Sequence, residues 1–442
     1  MALQTDFQTF FNDIELDCFE NIKTTVAEIT KKLNKEYYGL EQDESSHMTI
    51  VGSVGRHTAI RSVSDIDLIF DLPPELFTHF NNHETNGQSN LLQDVKNKLR
   101  ARYPRTELKG DGQVVVIGFE NYTVEFVPAF KQSDGSFKYP DANDGGSWKV
   151  TNPLQEIEAC AACEDQYKGI YFNFCHLVRS WRNTVGFKFG GLLIDTLVAK
   201  HLYDSDYDKD VDYFTVLKSL LSYLSTQDPE QNYWYAIGSN QQVTNSEKGK
   251  FVSKASDAFE SLQEAEKNNE NLNDVLRDLL GTSFPEGEDN SNKNITGDSW
   301  PLFNNTEEFI ENKFPIDIRY SLSIDADVKK TNFNISKPLG LYLKNLFPLD
   351  YDHELIFRIK ETDCLPPYQI YWKVRNVGEE AIKRNDIRGQ IVEGKKTHYE
   401  RTVFSGPHFV ECYLVKNGIC VAKSRISVPI KVRPKRRSYW RH

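Results

Sequence analysis

The sequence predicts an α+β protein in which a small sheet and a helical region are followed by a separate β-rich domain. Apolar and polar residues alternate over 65–71 and again over 113–127, which is typical of half-buried strands. From 153 to 280 the apolar residues recur at helical spacing. Beyond residue 316, short alternating runs separated by turn residues suit a small β-sandwich.

The length of 442 residues allows two or three domains, each large enough to bury its own core. We expect a first domain over 1–290, with a sheet lobe at about 40–150 and a helical lobe at about 151–280. Residues 281–299 are rich in Gly, Asn and acidic residues and predict a linker. The C-terminal domain then covers 300–442.

Net charge and hydropathy exclude some classes of function. A net charge of −11 argues against a constitutive polynucleotide binder, whose affinity would depend on neutralising phosphates, although a local basic groove stays possible. No apolar run approaches the length of a membrane span, and the N-terminus lacks the basic flank and apolar stretch of a signal peptide. We therefore expect a soluble, cytoplasmic protein with no membrane partner.

The same patterns predict the individual elements. A first helix over 6–35 follows from Phe and aliphatic residues at near-helical spacing, and it should brace the sheet. The other predicted helices are 91–102, 153–167, 171–185, 191–203, 214–224 and 249–280. Strands are predicted at 47–51, 65–71, 113–119 and 123–127 and, in the C-terminal domain, at 316–324, 355–359, 368–374, 389–392, 397–404, 408–415 and 419–432.

The motif that points to chemistry is a Gly-Ser turn followed by two alternating aspartates. Asp65 and Asp67 are two apart on a predicted strand, so their side chains share a face and suit Mg²⁺ or Mn²⁺, which take oxygen ligands. Gly52 lets backbone approach a ligand, and Ser53 with the N–H groups of a following helix would hold a triphosphate. The pattern predicts nucleotidyl transfer; a plain turn before an exposed acidic strand is the alternative.

Glu125 is the candidate third carboxylate. It lies between Val124 and Phe126 in a predicted strand that a tight turn at 120–122 joins to the strand before it, so it faces away from both apolar neighbours. Beside the aspartate strand it would complete a three-carboxylate cluster for two metals. An ordinary solvent-facing glutamate is the alternative.

A long segment resembles the cGAS/DncV-like nucleotidyltransferases, which are the CD-NTases of the SMODS group in the polymerase-β superfamily. The residues that carry the resemblance are GSVGRHTAI, SDIDLIF, YPRTELKGDGQVVVIGF, VEFVPAF, FKYPDANDGGSWKVTNP and LVRSWRN. It implies a polymerase-β-like nucleotidyltransferase sheet with a helical lobe and the synthesis of cyclic di- or trinucleotides in bacterial anti-phage (CBASS) defence.

The resemblance also implies roles for individual residues. Asp65, Asp67 and Glu125 would be the catalytic metal ligands, and Gly52 with Ser53 the phosphate turn. The third acid is Glu here, whereas many relatives have Asp. A cation on the helix that matches 172–182 contacts the triphosphate in the family; Arg179 is the first candidate for that position and Arg182 the second, and a surface arginine on an amphipathic helix is the alternative reading.

The C-terminal domain resembles the adenylyl/guanylyl and SMODS C-terminal sensor domain (AGS-C), through YWKVRNVGEEA, IRGQI, the strand at 400–402, FSGPHFVECYLV and GICVAKS. That resemblance implies a ligand, an RNA or a phage-derived activator that regulates the enzyme. A candidate ligand face comprises Tyr371, Trp372, Arg375, Tyr399, His408 and Glu411, although aromatic residues at alternate strand positions favour the core, and Trp372 is expected there. The basic, aromatic tail 433–442 either binds RNA or an acidic partner or is a solvated tail.

Two remaining features have two readings each. Trp148 either stacks on a base or anchors its Gly-rich loop at 141–153, and anchoring is expected. Cys160 and Cys163 form a C-x-x-C on a predicted helix, where Cys175 and His176 could complete a zinc site. Buried free thiols are the default expectation, since no second C-x-x-C exists.

Together these observations predict a Mg²⁺-dependent cyclic oligonucleotide synthase. Its substrates would be nucleoside triphosphates, ATP first with GTP, CTP and UTP as further candidates, and its product would act on a downstream effector activated by cyclic nucleotides. A transferase that adds one NMP to a small molecule, a protein or an RNA end is the first alternative, and a non-catalytic nucleotide or RNA sensor is the second.

Overall fold

The chain forms two compact units in a computed structural model that describes residues 2–17, 19–83, 85–119, 122–205, 207, 211–287, 307–330, 336–345 and 348–431. The first unit consists of Met1–Val185 and Phe189–Gly287, and the second of Gly186–Lys188 and Glu288–His442. Most of the predicted linker and the basic tail 433–442 lie outside the described residues.

Helices and strands alternate early in the first unit, and helices dominate after residue 153. The helices are α1 (Ala2–Ile14), α2 (Phe19–Tyr38), α3 (Gly52–Gly55), α4 (Pro74–Asn81), α5 (Gly87–Arg102), α6 (Pro153–Gln166), α7 (Tyr171–Val185), α8 (Gly191–Tyr203), α9 (Tyr213–Ser225), α10 (Lys250–Asn268) and α11 (Leu272–Leu280). The strands are β1 (Met48–Ile50), β2 (Asp65–Asp71), β3 (Glu107–Asp111), β4 (Val114–Gly118), β5 (Thr123–Lys131), β6 (Phe137–Asp141), β7 (Ser147–Thr151), β8 (Tyr233–Tyr235) and β9 (Gln242–Thr244).

The main sheet has the strand order β1-β2-β5-β4-β3, and β6 extends it by pairing with β5 and β7. The β2–β5 pair is parallel, whereas the other pairs of this sheet are antiparallel. The predicted turn at 120–122 falls largely outside the described residues, yet the strands on either side of it do pair antiparallel. The parallel pair contains the three candidate carboxylates, Asp65, Asp67 and Glu125.

One face of this sheet is covered by helices. The alternating residues Ile66 and Leu68 of β2 and Val124 and Phe126 of β5 are fully buried, in one cluster with apolar residues of α2 and α5. Each such side chain contributes roughly 1.5–3 kcal/mol to stability by leaving water. Because successive side chains of a strand point to opposite faces, this burial leaves the acidic residues of β2 and β5 on the other face.

Two long predicted helices are each divided in the structure. The predicted helix 6–35 is α1 and α2, and the break lies where Glu15 forms a bridge with Ile60. The division lets the two halves pack differently, since α2 braces the sheet while the aromatic residues of α1 lie against Tyr213 and Phe284 of the helical region. The predicted helix 249–280 corresponds to α10 and α11. The first of these ends at Asn268, because Asn269 takes a left-handed conformation with φ of 52°.

The remaining predictions for the first unit differ from the structure by a few residues, except in the Gly-rich loop. Helices α6 to α9 start and end within one residue of the predicted bounds. The predicted loop 141–153 instead contains the strand β7, which pairs with β6. Its Gly-rich character reflects only the tight connection at Gly145 and Gly146, both with positive φ.

The second unit is a β-sandwich, as predicted. Its elements are β10 (Leu322–Lys330), β11 (Ser336–Pro338), α12 (Leu339–Lys344), β12 (His353–Thr362), β13 (Gln369–Arg375), α13 (Glu379–Lys383), β14 (Ile391–Gly394), β15 (Thr397–Arg401), β16 (Gly406–Lys416) and β17 (Ile419–Ile430). The sheets β11-β10-β12-β15 and β14-β13-β16-β17 are antiparallel and share one apolar core, in which Trp372 is fully buried.

One strand of the sandwich differs clearly from the prediction. The predicted strand 316–324 is displaced, and β10 begins at Leu322. Ile316 instead forms a single parallel bridge with Cys420 and packs in a separate small cluster. Apolar and polar residues alternate both before and after Leu322, so the sequence pattern does not show where the strand begins.

Within the described part of the chain, no helix is long and apolar enough to cross a membrane.

Candidate active site

The three predicted carboxylates lie on one face of two neighbouring strands. Asp67 on β2 is paired directly with Glu125 on the parallel strand β5, and Asp65 is two residues before Asp67. Directly paired residues of neighbouring strands are roughly 4.8 Å apart and point to the same face. All three carboxylates are therefore presented side by side, and the backs of their strands are anchored in the core.

Thr123 orients the first of these acids. It is paired with Asp65 across the β2–β5 ladder, and its Oγ1 donates a hydrogen bond of 2.5 Å to Asp65 Oδ1. The same hydroxyl also lies 3.3 Å from the carbonyl oxygen of Ser64. A fixed rotamer for Asp65 reduces the conformational entropy that ligand binding would cost.

The Gly-Ser turn packs directly against the aspartate strand. Val51 donates its N–H to the carbonyl of Asp67 at 2.9 Å, and the chain then enters the single helical turn α3. Gly52 has φ of 63°, and a Cβ there would lie 1.7 Å from Asp67 Oδ2. Only glycine fits this position, because any side chain would occupy the place of the Asp67 carboxylate. Ser53 follows on the same turn, directly after the residue that contacts Asp67.

The donor set fits a divalent cation. Three carboxylates on one face supply the oxygen ligands that Mg²⁺ prefers, and the side-chain-free position at Gly52 leaves Asp67 room. In the described ranges, no three His, Cys, Asp or Glu side chains are already arranged as a metal site. The role of the three acids as metal ligands therefore stays a prediction.

Arg179 and Arg182 lie inside the helical region, on α7. Both are buried, with 4% and 9% of their surfaces exposed. Arg179 forms a bidentate ion pair with Asp195 on α8, in which Nη1 lies 2.6 Å from Oδ1 and Nη2 lies 3.0 Å from Oδ2. Arg182 donates to the side chain of Asn183 and to the carbonyl of Phe189. The triphosphate contacts predicted for both arginines stay predictions, and for Arg179 the geometry supports a different role, since its guanidinium already serves a buried carboxylate.

Trp148 anchors its segment, as expected. Its Nε1 donates to Asn81 Oδ1 at 3.0 Å, and its ring packs against Phe77 and Phe130 with centroids 4.9 and 5.7 Å away. This position on β7 ties the end of the sheet to α4.

The cysteines of the C-x-x-C are buried thiols on α6, where their spacing of three places them on one face. Burial raises the pKa of both Cys160 and Cys163 to about 12, so both are neutral at physiological pH. The hydroxyl of Tyr171 donates to Cys160 Sγ at 3.1 Å. Cys160 and Cys163 are free thiols, and among the described residues no three His, Cys, Asp or Glu side chains are grouped so that they could hold a metal ion.

The candidate ligand face of the sandwich is divided. Trp372 points into the core and donates its indole N–H to the carbonyl of Lys395, whereas its neighbour Tyr371 packs in a different cluster. His408 and Glu411 are buried, and Tyr399 is 69% exposed. These residues do not form one surface, because strand alternation places them on both faces of their sheets.

The sequence reasoning missed two kinds of residue. Thr123 could have been found, since it is two residues before Glu125 and so shares its face. Asp195 also left a signal, as a single acid within the apolar helix GLLIDTLVA. Its partners Arg56 and Thr58 lie about 140 residues earlier in the chain, and no spacing rule connects them.

Comparisons with known proteins agree with this architecture. Residues 1–163 match the Second Messenger Oligonucleotide or Dinucleotide Synthetase (SMODS) domain, and 304–431 match the Adenylyl/Guanylyl and SMODS C-terminal sensor domain. A cyclic GMP-AMP synthase of Escherichia albertii is 38% identical over 76 residues, and a cytidylate cyclase of Staphylococcus aureus is 33% identical over 76 residues. Each alignment covers 16% of this chain, and it covers 17% and 18% of the respective relative.

One solved structure shares the fold at low identity. The E. coli MS115-1 CdnC, in a complex with HORMA-deltaN, superposes with a TM-score of 0.50 at 17% identity, over 63% of this chain and 96% of that one. The fold is therefore that of the polymerase-β-like nucleotidyltransferases. The chain therefore contains a SMODS domain and an AGS-C domain, which bears out its resemblance to the cGAS/DncV-like nucleotidyltransferases, or CD-NTases.

Proposed function

We propose that this chain joins nucleoside triphosphates into a cyclic di- or trinucleotide, with Mg²⁺ as cofactor and release of pyrophosphate, and that the product acts in bacterial anti-phage defence. The observation that carries the chemistry is the Asp67–Glu125 pair across two parallel strands, with Asp65 on the same face and Gly52 against Asp67. The domain matches support the kind of product, since both are families of second-messenger synthetases or their sensors.

Each residue has a defined task in this proposal. Asp65, Asp67 and Glu125 would hold the divalent cations, Glu125 would also help to take the proton of the attacking ribose hydroxyl, and Ser53 would orient the outgoing phosphates. The first N–H groups of α3 have no intrahelical acceptor and can add hydrogen bonds to those phosphates. A divalent cation bound here would supply charge neutralisation at the phosphates and lower the pKa of the hydroxyl.

Rigid positioning is what the sheet contributes. The acids stand on strands whose opposite faces are fully buried, and Thr123 holds Asp65. Preorganised carboxylates do not have to be gathered from solvent-exposed loops when substrate binds, and such positioning accounts for much of the catalysis in phosphoryl and nucleotidyl transfer.

The test is incubation of the pure protein with radiolabelled ATP, GTP, CTP and UTP, together and one at a time, with Mg²⁺ or Mn²⁺. We expect a phosphatase-resistant product whose mass equals that of two or three nucleoside monophosphates minus one water for each phosphodiester linkage, which is two or three waters for a closed ring. Asp65→Ala with Asp67→Ala should abolish it. The proposal fails if no such product forms under any activating condition, or if this double variant still forms it.

The same assay separates other outcomes. A single cyclised nucleotide would agree with the name of the cytidylate cyclase relative and would have the mass of one nucleoside monophosphate minus one water. Transfer of one NMP to an acceptor would leave label on a small molecule, a protein or an RNA. Nucleotide binding that stabilises the protein without any product, and that survives loss of the acids, would indicate a sensor.

A further inference from the structure

A buried polar cluster joins the segment after the Gly-Ser turn to the helical region. Its centre is Asp195 on α8, which is completely buried. Oδ1 of Asp195 accepts a hydrogen bond from Arg179 Nη1 at 2.6 Å. Oδ2 accepts three more, from Arg56 Nε at 2.9 Å, Arg179 Nη2 at 3.0 Å and Thr58 Oγ1 at 3.0 Å. Arg56 and Thr58 come from the segment that follows α3, so Asp195 and Arg179 bind that segment from two helices.

The cluster is balanced in charge and almost completely buried. Arg56, Thr58, Arg179 and Asp195 are each at most 6% exposed, and Glu156 on α6, 4% exposed, lies 3.9 Å from Arg56. Two cations thus face two carboxylates. Burial alone would raise the pKa of Asp195, but the guanidinium groups of Arg179 and Arg56 outweigh it and lower that pKa to about 2. Asp195 is consequently an anion at every physiological pH.

The cluster reaches the catalytic turn through backbone hydrogen bonds. Thr58 and Ala59 both donate their N–H groups to the carbonyl of Ser53, at 2.9 and 3.1 Å. Thr58 is therefore bound to Ser53 by its backbone and to Asp195 by its side chain. On the other side of the same turn, Gly52 lies against Asp67. A displacement of Thr58 would move the carbonyl of Ser53, and with it the turn that contacts Asp67.

We infer that Asp195, Arg179, Arg56 and Thr58 are positioning residues, which lock the Gly52–Ser53 turn against the helical region and so set the site of the triphosphate relative to the carboxylates. The inference rests on the proposed function for its kinetic consequences alone. In this view Arg179 acts on the nucleotide through Thr58 and Ser53 and does not contact it.

Stability by itself is a weak explanation for this cluster. The attraction between two buried charges often does no more than offset the free energy lost when both are taken out of water. An apolar pair of similar volume would therefore make the folded state about as stable. What a branched, charged cluster provides in addition is one fixed geometry, since four hydrogen bonds converge on a single carboxylate. A displacement of roughly 1 Å in a reacting group can lower the rate by about 100-fold.

The decisive variant is Thr58→Val, which removes only the hydroxyl between Asp195 and Arg179. Thr196→Val is the matched control: Thr196 is next to Asp195 on α8, is 1% exposed, and its hydroxyl accepts a hydrogen bond from the N–H of Ile237 instead. Both changes delete one buried hydroxyl, so both should lower the melting temperature similarly. Thr58→Ser restores the hydroxyl and should rescue the defect.

Hydrogen–deuterium exchange measures the lock without any turnover. We expect the amides of residues 56–59 to exchange at least 10-fold faster in Thr58→Val than in wild type, and to be unchanged in Thr196→Val and Thr58→Ser. If Thr58→Val does not fold, Arg179→Lys tests the same idea, because it keeps the charge but cannot span Asp195, Thr58 and Gly191 together. Equal exchange over 56–59 in Thr58→Val (or Arg179→Lys) and Thr196→Val overturns the inference.

Kinetics separate positioning from simple loss of folded protein. A smaller folded fraction lowers the apparent kcat and leaves the KM for the triphosphate unchanged, whereas a loosened turn raises that KM. We expect a rise of about 10-fold in Thr58→Val and none in Thr196→Val, and an unchanged KM would refute the positioning role. If wild type forms no nucleotide product, the proposed function fails, and the exchange data still decide whether the lock exists.

Discussion

Gly52→Ala is the sharpest single test of the site geometry. With φ of 63°, residue 52 is in the left-handed region, where an L side chain costs about 1 kcal/mol. The larger effect is steric, because the new Cβ would lie 1.7 Å from Asp67 Oδ2, a distance at which one of the two must move. Relief by the flexible carboxylate would displace it by more than about 1 Å, a shift that can lower kcat/KM by about 100-fold.

Gly39→Ala is the matched control for this substitution. Gly39 has nearly the same backbone conformation, with φ of 68°, and a Cβ there would meet no atom within 4 Å. Thermal unfolding should show a similar, small destabilisation of both variants, whereas initial rates of pyrophosphate release should fall only in Gly52→Ala. If the two variants have equal kcat/KM, the close contact between Gly52 and Asp67 is not what the site requires, and the argument for this turn is refuted.

Three further predictions follow from individual contacts. Glu125→Gln, which keeps the size of the side chain but removes its charge, should lower kcat by at least 100-fold at an unchanged melting temperature; near-wild-type kcat would contradict a metal-ligand role. Burial, aided by Arg179, lowers the pKa of His176 to about 4, so the folded state binds fewer protons than the unfolded state between pH 4 and 6.5. Urea unfolding should therefore show up to about 3 kcal/mol of stability that is present above pH 6.5 and is lost as the pH falls towards 4. The variant His176→Gln should make the free energy of unfolding less dependent on pH over this range. Trp148→Phe should cost about 1 kcal/mol through the lost bond to Asn81 and leave nucleotide affinity unchanged, whereas weaker binding would indicate base stacking.

Local pattern was sufficient where one strand or one helix decides the outcome. The alternation around Asp65 and Asp67 predicted β2, and the same rule placed Glu125 on the polar face of β5. Helices α7 and α8 have their predicted bounds because their apolar spacing is unambiguous. Periodicity failed at the α1–α2 break, where the apolar pattern continues across a change of packing partner.

Charged side chains are where local pattern leaves the partner open. The triphosphate contact expected for Arg179 stays a prediction, and in the structure this side chain donates to Asp195, Thr58 and two backbone carbonyls. A cation on a helix can serve a ligand or a buried anion equally well, and only the neighbouring elements distinguish them. Asp195 was overlooked for the same reason, since an isolated acid in an apolar helix requires a partner that the sequence does not identify.

The sequence by itself determined which strand faces are polar and that a glycine precedes the serine of the turn. Both features depend only on residues that are adjacent or two apart in the chain, and so can be read directly from the sequence. Only the tertiary structure decided that Asp67 faces Glu125, that Gly52 must have no side chain, and that Thr58 is bound to Asp195. Those contacts join residues from 15 to about 140 positions apart. Their formation depends on how whole elements pack, and packing is decided by the core rather than by any local pattern.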